Sequence, residues 1–119
     1  MKHILVVDDQ LPILELLKRY LQQLGYEVTT VSSGFKALQL FQTQPCDAVL
    51  LDLGLADTSG LEVLKKMKKL FPERPIIVVT GCHEEAEARK AFEAGALDYV
   101  VKPIDFQYLG RVLEMQFQD

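Results

Sequence analysis

Short, almost unbroken apolar runs recur along the chain. They alternate with longer segments whose apolar residues return every three or four positions. The runs are "HILVVDD" at 3–9, "YEVTTV" at 26–31, "DAVLLD" at 47–52, "PIIVVT" at 75–80 and "DYVV" at 98–101. Each is a few residues long and rich in β-branched side chains, so each predicts a strand. The segments between them predict helices at 11–25, 34–44, 59–71, 84–96 and 105–117. In the first, Leu14, Leu17, Leu21 and Leu24 mark one face, with Lys18 and Gln22 between them. Pro12 suits a first helical turn and Gly25 a stop.

Five βα units in strict alternation with short joins predict an α/β fold, a doubly wound parallel sheet with helices on both faces. No linker, low-complexity stretch or repeat beyond the βα alternation interrupts the pattern, so residues 1–119 read as one domain.

Composition narrows the function. With 119 residues, 49% of them apolar, the chain is the size of one ordinary domain with a real core. Its longest apolar runs, about four residues, fall far short of the ~20 that cross a bilayer. Met1-Lys2-His3 leads directly into "ILVV" without a signal-peptide core, so a cytoplasmic protein is expected. The formal net charge of -4 gives no support for direct binding of nucleic acid or membrane. Cys46 and Cys82 match no metal or redox spacing and read as free thiols.

The chemistry lies at the strand ends. Strand one ends in Asp8 and Asp9, strand three in Asp52, strand four in Thr80 and strand five in Lys102. In a parallel sheet all carboxyl ends share one edge, and open α/β sheets bind ligands there, where strand order reverses. With the order 2-1-3-4-5, strands one and three are neighbours at that point, and the three carboxylates converge beside Thr80 and Lys102. Carboxylates this close repel one another unless a cation balances them. An oxygen-only donor set without a His or Cys cluster suits Mg²⁺. Such a site also suits a phosphoryl group, and a carboxylate can itself accept one as an acyl phosphate.

These residues carry a family resemblance. "ILVVDDQ", "LLDLGLADTSG", "VVTG" and "GALDYVVKP" resemble the acidic pair, the phosphorylation loop, the switch threonine and the aromatic-and-lysine end of a response-regulator receiver domain. The likeness covers essentially the whole chain. It implies a flavodoxin-like, three-layer (βα)5 sandwich with strand order 2-1-3-4-5. It implies a phosphorylation-controlled switch of two-component signalling, with Asp52 as phospho-acceptor. Asp8, Asp9, Asp52 and the Gly54 carbonyl would hold Mg²⁺ or another divalent cation such as Mn²⁺. Thr80 and Lys102 would contact the phosphoryl oxygens, Tyr99 would be a rotameric switch, and Pro103 would follow a cis peptide bond. The implied partners are a sensor histidine kinase or histidine phosphotransferase and a downstream effector. The signal would leave through helix four, strand five and helix five. The domain would not be an enzyme in the ordinary sense, although it would promote its own phosphoryl transfer and autodephosphorylation. Three positions depart from the family pattern: Gly54, Ala56 where proline is usual, and Ser59 where an acid or asparagine is usual.

Other features read more plainly. "KKMKK" at 65–69 is a solvated face on a helix that turns Leu61, Leu64 and Met67 inward. Thr80 alone would also serve as a helix N-cap. His3 and His83 are given no catalytic role. Ile13, Leu16 and Tyr20 widen the core face of the first helix, with a docking surface as the other reading. Tyr108 stands where dimerising receivers often carry glutamate, with Arg111 three residues on, so that dimer is not assumed. A phosphate-ester hydrolase with an aspartyl nucleophile would want a second aspartate where Gly54 stands. An FMN-binding protein would want a phosphate loop where "DDQLPILE" would repel phosphate.

Overall fold

Five parallel strands alternate with five helices in the computed structural model, which describes residues 1–118. The strands are β1 (His3–Val7), β2 (Glu27–Val31), β3 (Ala48–Leu51), β4 (Ile76–Thr80) and β5 (Asp98–Val101). The helices are α1 (Leu11–Gln23), α2 (Gly34–Thr43), α3 (Gly60–Leu70), α4 (Glu85–Glu93) and α5 (Phe106–Gln116). The sheet runs β2-β1-β3-β4-β5, the doubly wound order expected from the alternation. Register pairs Val7 with Val31 and Leu51, and Thr80 with Val101.

The strands are buried on both faces, which is why their sequences read as continuous apolar runs. Successive side chains point to opposite sides. Leu5, Val7, Val49, Leu51, Ile76 and Val78 face α2, α3 and α4, where Phe41, Leu64 and Met67 meet them. Ile4, Val6, Leu50, Ile77, Val79 and Val100 face α1 and α5, where Leu17, Leu21, Leu109 and Leu113 meet them. Each fully buried Leu, Ile, Val or Phe contributes about 1.5–3 kcal/mol. A rigid sheet of this kind fixes where its carboxyl edge lies.

Several local expectations need correction. Leu24 is 47% exposed, because α1 ends at Gln23 and Gly25 (φ +94°) turns the chain away. Leu16 is 52% exposed, whereas Ile13 and Tyr20 do pack on the core, Tyr20 against Phe106 at 5.1 Å between ring centroids. The helix expected over 84–96 runs only Glu85–Glu93, since Gly95 takes φ +106°. Thr80 does not cap it; the N-cap is Glu84 and Thr80 remains in the strand. Lys68 is not simply solvated. Its Nζ donates to the carbonyls of Pro72 (2.7 Å) and Arg74 (2.9 Å), and burial lowers its pKa.

Candidate functional site

Asp8 and Asp52 lie one residue beyond neighbouring strands. The Asp8 N–H still donates to Val31 at 3.2 Å and the Asp52 N–H to Val7 at 2.9 Å, so the ladder extends under both carboxylates. The positions are fixed by backbone pairing, and both side chains are buried, as is that of Thr80. Carboxylate oxygens of Asp8, Asp9 and Asp52 lie within 4.8 Å of one another, with Asp9 the most accessible. The three acids expected on one edge therefore form one cluster.

Lys102 reaches into it from the end of β5. Its Nζ lies 2.8 Å from Asp8 Oδ2, 2.9 Å from Gln10 Oε1 and 3.3 Å from Asp52 Oδ2. The Lys102–Pro103 peptide bond is cis. Burial works against the ammonium, but the hydrogen bond and charge of Asp8 and the charge of Asp52 outweigh it and raise the Lys102 pKa. Burial pushes the Asp8 carboxyl up, against the pull of Lys102 and of the Gln10 amide, which donates to Oδ1 at 2.9 Å. Asp8 Oδ2 pairs with the ammonium at 2.8 Å. Apart from that lysine contact it has no hydrogen-bond partner, the one buried side-chain polar atom among the described residues of which this is true. A buried carboxylate oxygen held by a single ammonium in an oxygen-only cluster fits a hard divalent cation, which would take the lone pairs that the ammonium leaves unused.

The β3–α3 loop closes over Asp52. The Gly54 N–H donates to Asp52 Oδ1 at 3.1 Å, and the Gly60 N–H returns to the Leu53 carbonyl at 3.1 Å. On the other wall, the Cys82 N–H makes a long 3.4 Å bond to Thr80 Oγ1, leaving the threonine proton free to donate elsewhere. Tyr99 is half-buried, and its hydroxyl donates to the Cys82 carbonyl at 3.0 Å. Burial, then that bond, push its pKa up to about 12. Asp9, Asp52, Gly54, Thr80 and Lys102 line one open cleft of about 550 Å³, and Gln10 and Cys82 share its wall.

Sequence reasoning missed Gln10, Cys82 and Asp57, which binds the β3–α3 loop to α2. Nothing in their own positions marks them; each acts through a partner distant along the chain. The two histidines lie away from the cluster. His3 bonds Thr29 at 2.6 Å near the amino edge of the sheet, and His83 is exposed. No disulfide joins the two cysteines. On the β5–α5 face the Tyr108 hydroxyl donates to Asp98, a bond that raises the tyrosine pKa.

Acids at the ends of two adjacent strands, a hydroxyl and a lysine on one doubly wound sheet define a class, and comparison agrees with it. Residues 4–114 match the response regulator receiver domain family. The chain belongs to that family, whose members are signalling modules of two-component systems. It is 39% identical over 111 residues to the transcriptional regulatory protein ZraR of Escherichia coli strain K12, covering 93% of this chain and 25% of ZraR. The chain thus spans about a quarter of the length of the ZraR relatives it matches. It superposes on a CheY-like receiver domain protein from Methanospirillum hungatei with a TM-score of 0.92, at 32% identity over 98% of this chain and 94% of that one. The response regulator TrrA of Thermotoga maritima, solved in complex with Mg²⁺ and beryllium fluoride, gives a TM-score of 0.90. Its identity is 37%, over 98% of this chain and 100% of TrrA. Among the described residues no helix is long and apolar enough to cross a membrane.

Proposed function

We propose that the chain is a single phosphorylation-controlled receiver in which Asp52 accepts a phosphoryl group from a histidine-phosphorylated kinase or phosphotransferase in the cytoplasm. The observation that carries this reading is the cluster itself: three carboxylates within 4.8 Å, one with a buried oxygen held only by the lysine ammonium that faces them. A charge set so unbalanced at a sheet's ligand-binding edge has little structural use. Mg²⁺, or Mn²⁺, would be held by Asp8, Asp9, Asp52 and the Gly54 carbonyl, and when bound it supplies neutralising charge for the acids and the incoming phosphoryl oxygens.

The remaining work falls to the chain. A carboxylate oxygen of Asp52 attacks phosphorus, the phosphorus–nitrogen bond of the donor breaks, and its electron pair leaves with the imidazole. Gly54 N–H and Lys102 hold the acceptor carboxylate in place beforehand. Lys102 then turns to a phosphoryl oxygen, and the Thr80 hydroxyl donates to another as a charge-assisted bond. Autodephosphorylation is attack of water on the same phosphorus, which releases inorganic phosphate and restores the carboxylate. Thr80 and Tyr99 share the Cys82 residue as a partner, so a shift of Thr80 loosens the tyrosine's hold. Tyr99 in turn borders α4, and the face of α4, β5 and α5 is the surface offered to an effector.

The test is intact-mass analysis after incubation with a small acyl phosphate, with and without chelator. The expected result is one phosphoryl group, gained only with divalent cation and absent from Asp52→Asn. Equal labelling of the wild type and Asp52→Asn would sink the assignment.

A further inference from the structure

The acceptor loop, residues 52–60, holds no proline and carries Ala56 near its middle. Proline fixes φ near −65°, whereas alanine leaves that torsion free. Another residue fastens the loop in this chain. Asp57 Oδ2 accepts from the Ser33 hydroxyl at 2.8 Å and the Phe35 N–H at 3.1 Å, and Oδ1 accepts from the Gly34 N–H at 2.9 Å. The two amides are first-turn donors of α2 that no intrahelical carbonyl can reach. These three bonds, at the positive end of α2, hold the carboxyl down to a pKa of about 2. Ser33 separately caps α2 by accepting from the Lys36 N–H at 3.2 Å, so α2 does not depend on Asp57 alone.

The loop is also pressed close at two glycines. A Cβ on Gly34 would meet the Thr58, Val63 and Leu55 side chains, and one on Gly60 would run into the backbone of Leu53 and Asp52. The return at Gly60 closes the segment on Leu53, and the clasp at Asp57 ties its middle to α2.

We propose that Asp57 is a positioning residue of the acceptor site: by clasping the N-terminus of α2 it holds residues 53–60 so that Asp52 and the Gly54 carbonyl face the cleft. Asp57 touches none of the reacting atoms. The inference rests on reading Asp52 as the phospho-acceptor and adds the element that fixes its loop. Among the described residues the Ala56 N–H donates to no backbone carbonyl, so a proline there sacrifices no such hydrogen bond.

The experiment compares the wild-type chain, Asp57→Ala and the double variant Asp57→Ala with Ala56→Pro. Hydrogen exchange at the Gly54 and Gly60 amides, Mg²⁺ titration, and labelling by a small acyl phosphate at saturating Mg²⁺ are read for each. In Asp57→Ala, exchange should accelerate and Mg²⁺ affinity and the maximal labelling rate should fall, each by about fivefold, the factor of one lost helix-cap interaction. The donor concentration for half-maximal rate should stay put. Proline at 56 should restore most of the loss, under conditions where urea unfolding shows all three chains to be fully folded, so that global stability does not enter the comparison. Wild-type exchange, affinity and rate in Asp57→Ala would overturn the proposal. So would losses that proline fails to rescue. A wild type that takes no label at Asp52 would instead remove the functional reading beneath it, a result visible before any variant is compared.

Discussion

Replacing Lys102 by methionine keeps a long unbranched side chain and removes the ammonium from the acidic cluster. The side chains of Lys102, Asp8 and Asp52 are 14%, 2% and 7% exposed, so these charges are poorly screened. At 2.8 and 3.3 Å, with an effective dielectric near 20, the two attractions come to about 5–6 kcal/mol each. Desolvation takes back several kcal/mol per ion, and removing one member of a fully buried pair costs about 3–5 kcal/mol. This pocket opens to water beside Asp9 and Gln10, so about 2 kcal/mol is the expected loss. The pH dependence distinguishes that loss from a packing defect. Burial already raises the Asp8 pKa above its ordinary 3.8, and Lys102 pulls it back down. Without the lysine it rises further. An acid whose folded pKa exceeds its unfolded value contributes stability that is fully present below the unfolded pKa. That contribution is lost as pH rises through the folded pKa. The deficit of Lys102→Met should therefore be largest at about pH 7 and shrink toward about pH 4.5, and Mg²⁺ should narrow it at pH 7. Urea unfolding followed by circular dichroism, at both pH values with and without Mg²⁺, measures the deficit against the wild type. A deficit that is constant with pH, or that grows as pH falls, would refute the reasoning.

Gly60→Ala should destabilise by about 2–3 kcal/mol in the same urea assay, because the new methyl meets backbone atoms that cannot swing aside. Gly34→Ala, which meets side-chain ends, should cost less; the reverse order would mean that the loop is not held against the Asp52–Leu53 backbone. Asp57 supplies a pH prediction of opposite sign to that of Asp8. Its folded pKa of about 2 lies below 3.8, so its stabilisation is present above pH 3.8 and lost as pH falls toward 2. In thermal melts the advantage of the wild type over Asp57→Asn should vanish across that window, and an advantage that persists at about pH 2 would exclude the ionised clasp.

The β-branched runs can be read as strands because both faces of the sheet are covered, which leaves little room for polar residues inside them. The same fact makes the site legible. Among the described residues, the buried polar and charged side chains are Asp8, Asp52 and Thr80, each at or just beyond a strand end, where an apolar run stops. Parallel strands put those ends on one edge without any knowledge of contacts. What stays hidden depends on proximity across the chain. Gln10 meets Lys102 only because β1 and β5 both end at the cleft. Asp57 meets α2 from 22–24 residues away, and in sequence it is one more acid in a polar loop. The pattern places the end of α4 too late because "EEAEARKAFEAGA" has good helix formers throughout, and the left-handed turn at Gly95 overrides them. Lys68 reads as solvated because a run of lysines gives no sign of which one a neighbouring loop will cover.

The two walls of the cleft are fastened unequally, and this bears on where a disturbance at Asp52 can go. The β3–α3 wall is tied by Asp57 to α2 and by Gly60 to the Leu53 carbonyl. It continues into α3, which buries Val63, Leu64 and Met67 and is capped by Ser59. The β4–α4 wall has the long bond at Thr80 and the Tyr99 hydroxyl on the Cys82 carbonyl. It continues into a nine-residue helix with no side-chain cap and Ala91 as its one buried residue. Segments with few buried apolar contacts and unsupported ends open at the lowest free energy. New oxygens placed between the walls would find a rigid partner on the α3 side and a compliant one on the α4 side. Displacement would then run through Thr80 and Cys82 to Tyr99 rather than into α3. On the proposed reading the tight α3 wall would make the loose α4 wall useful: a site that gave way equally on both sides would absorb the charge locally, and nothing distant would move.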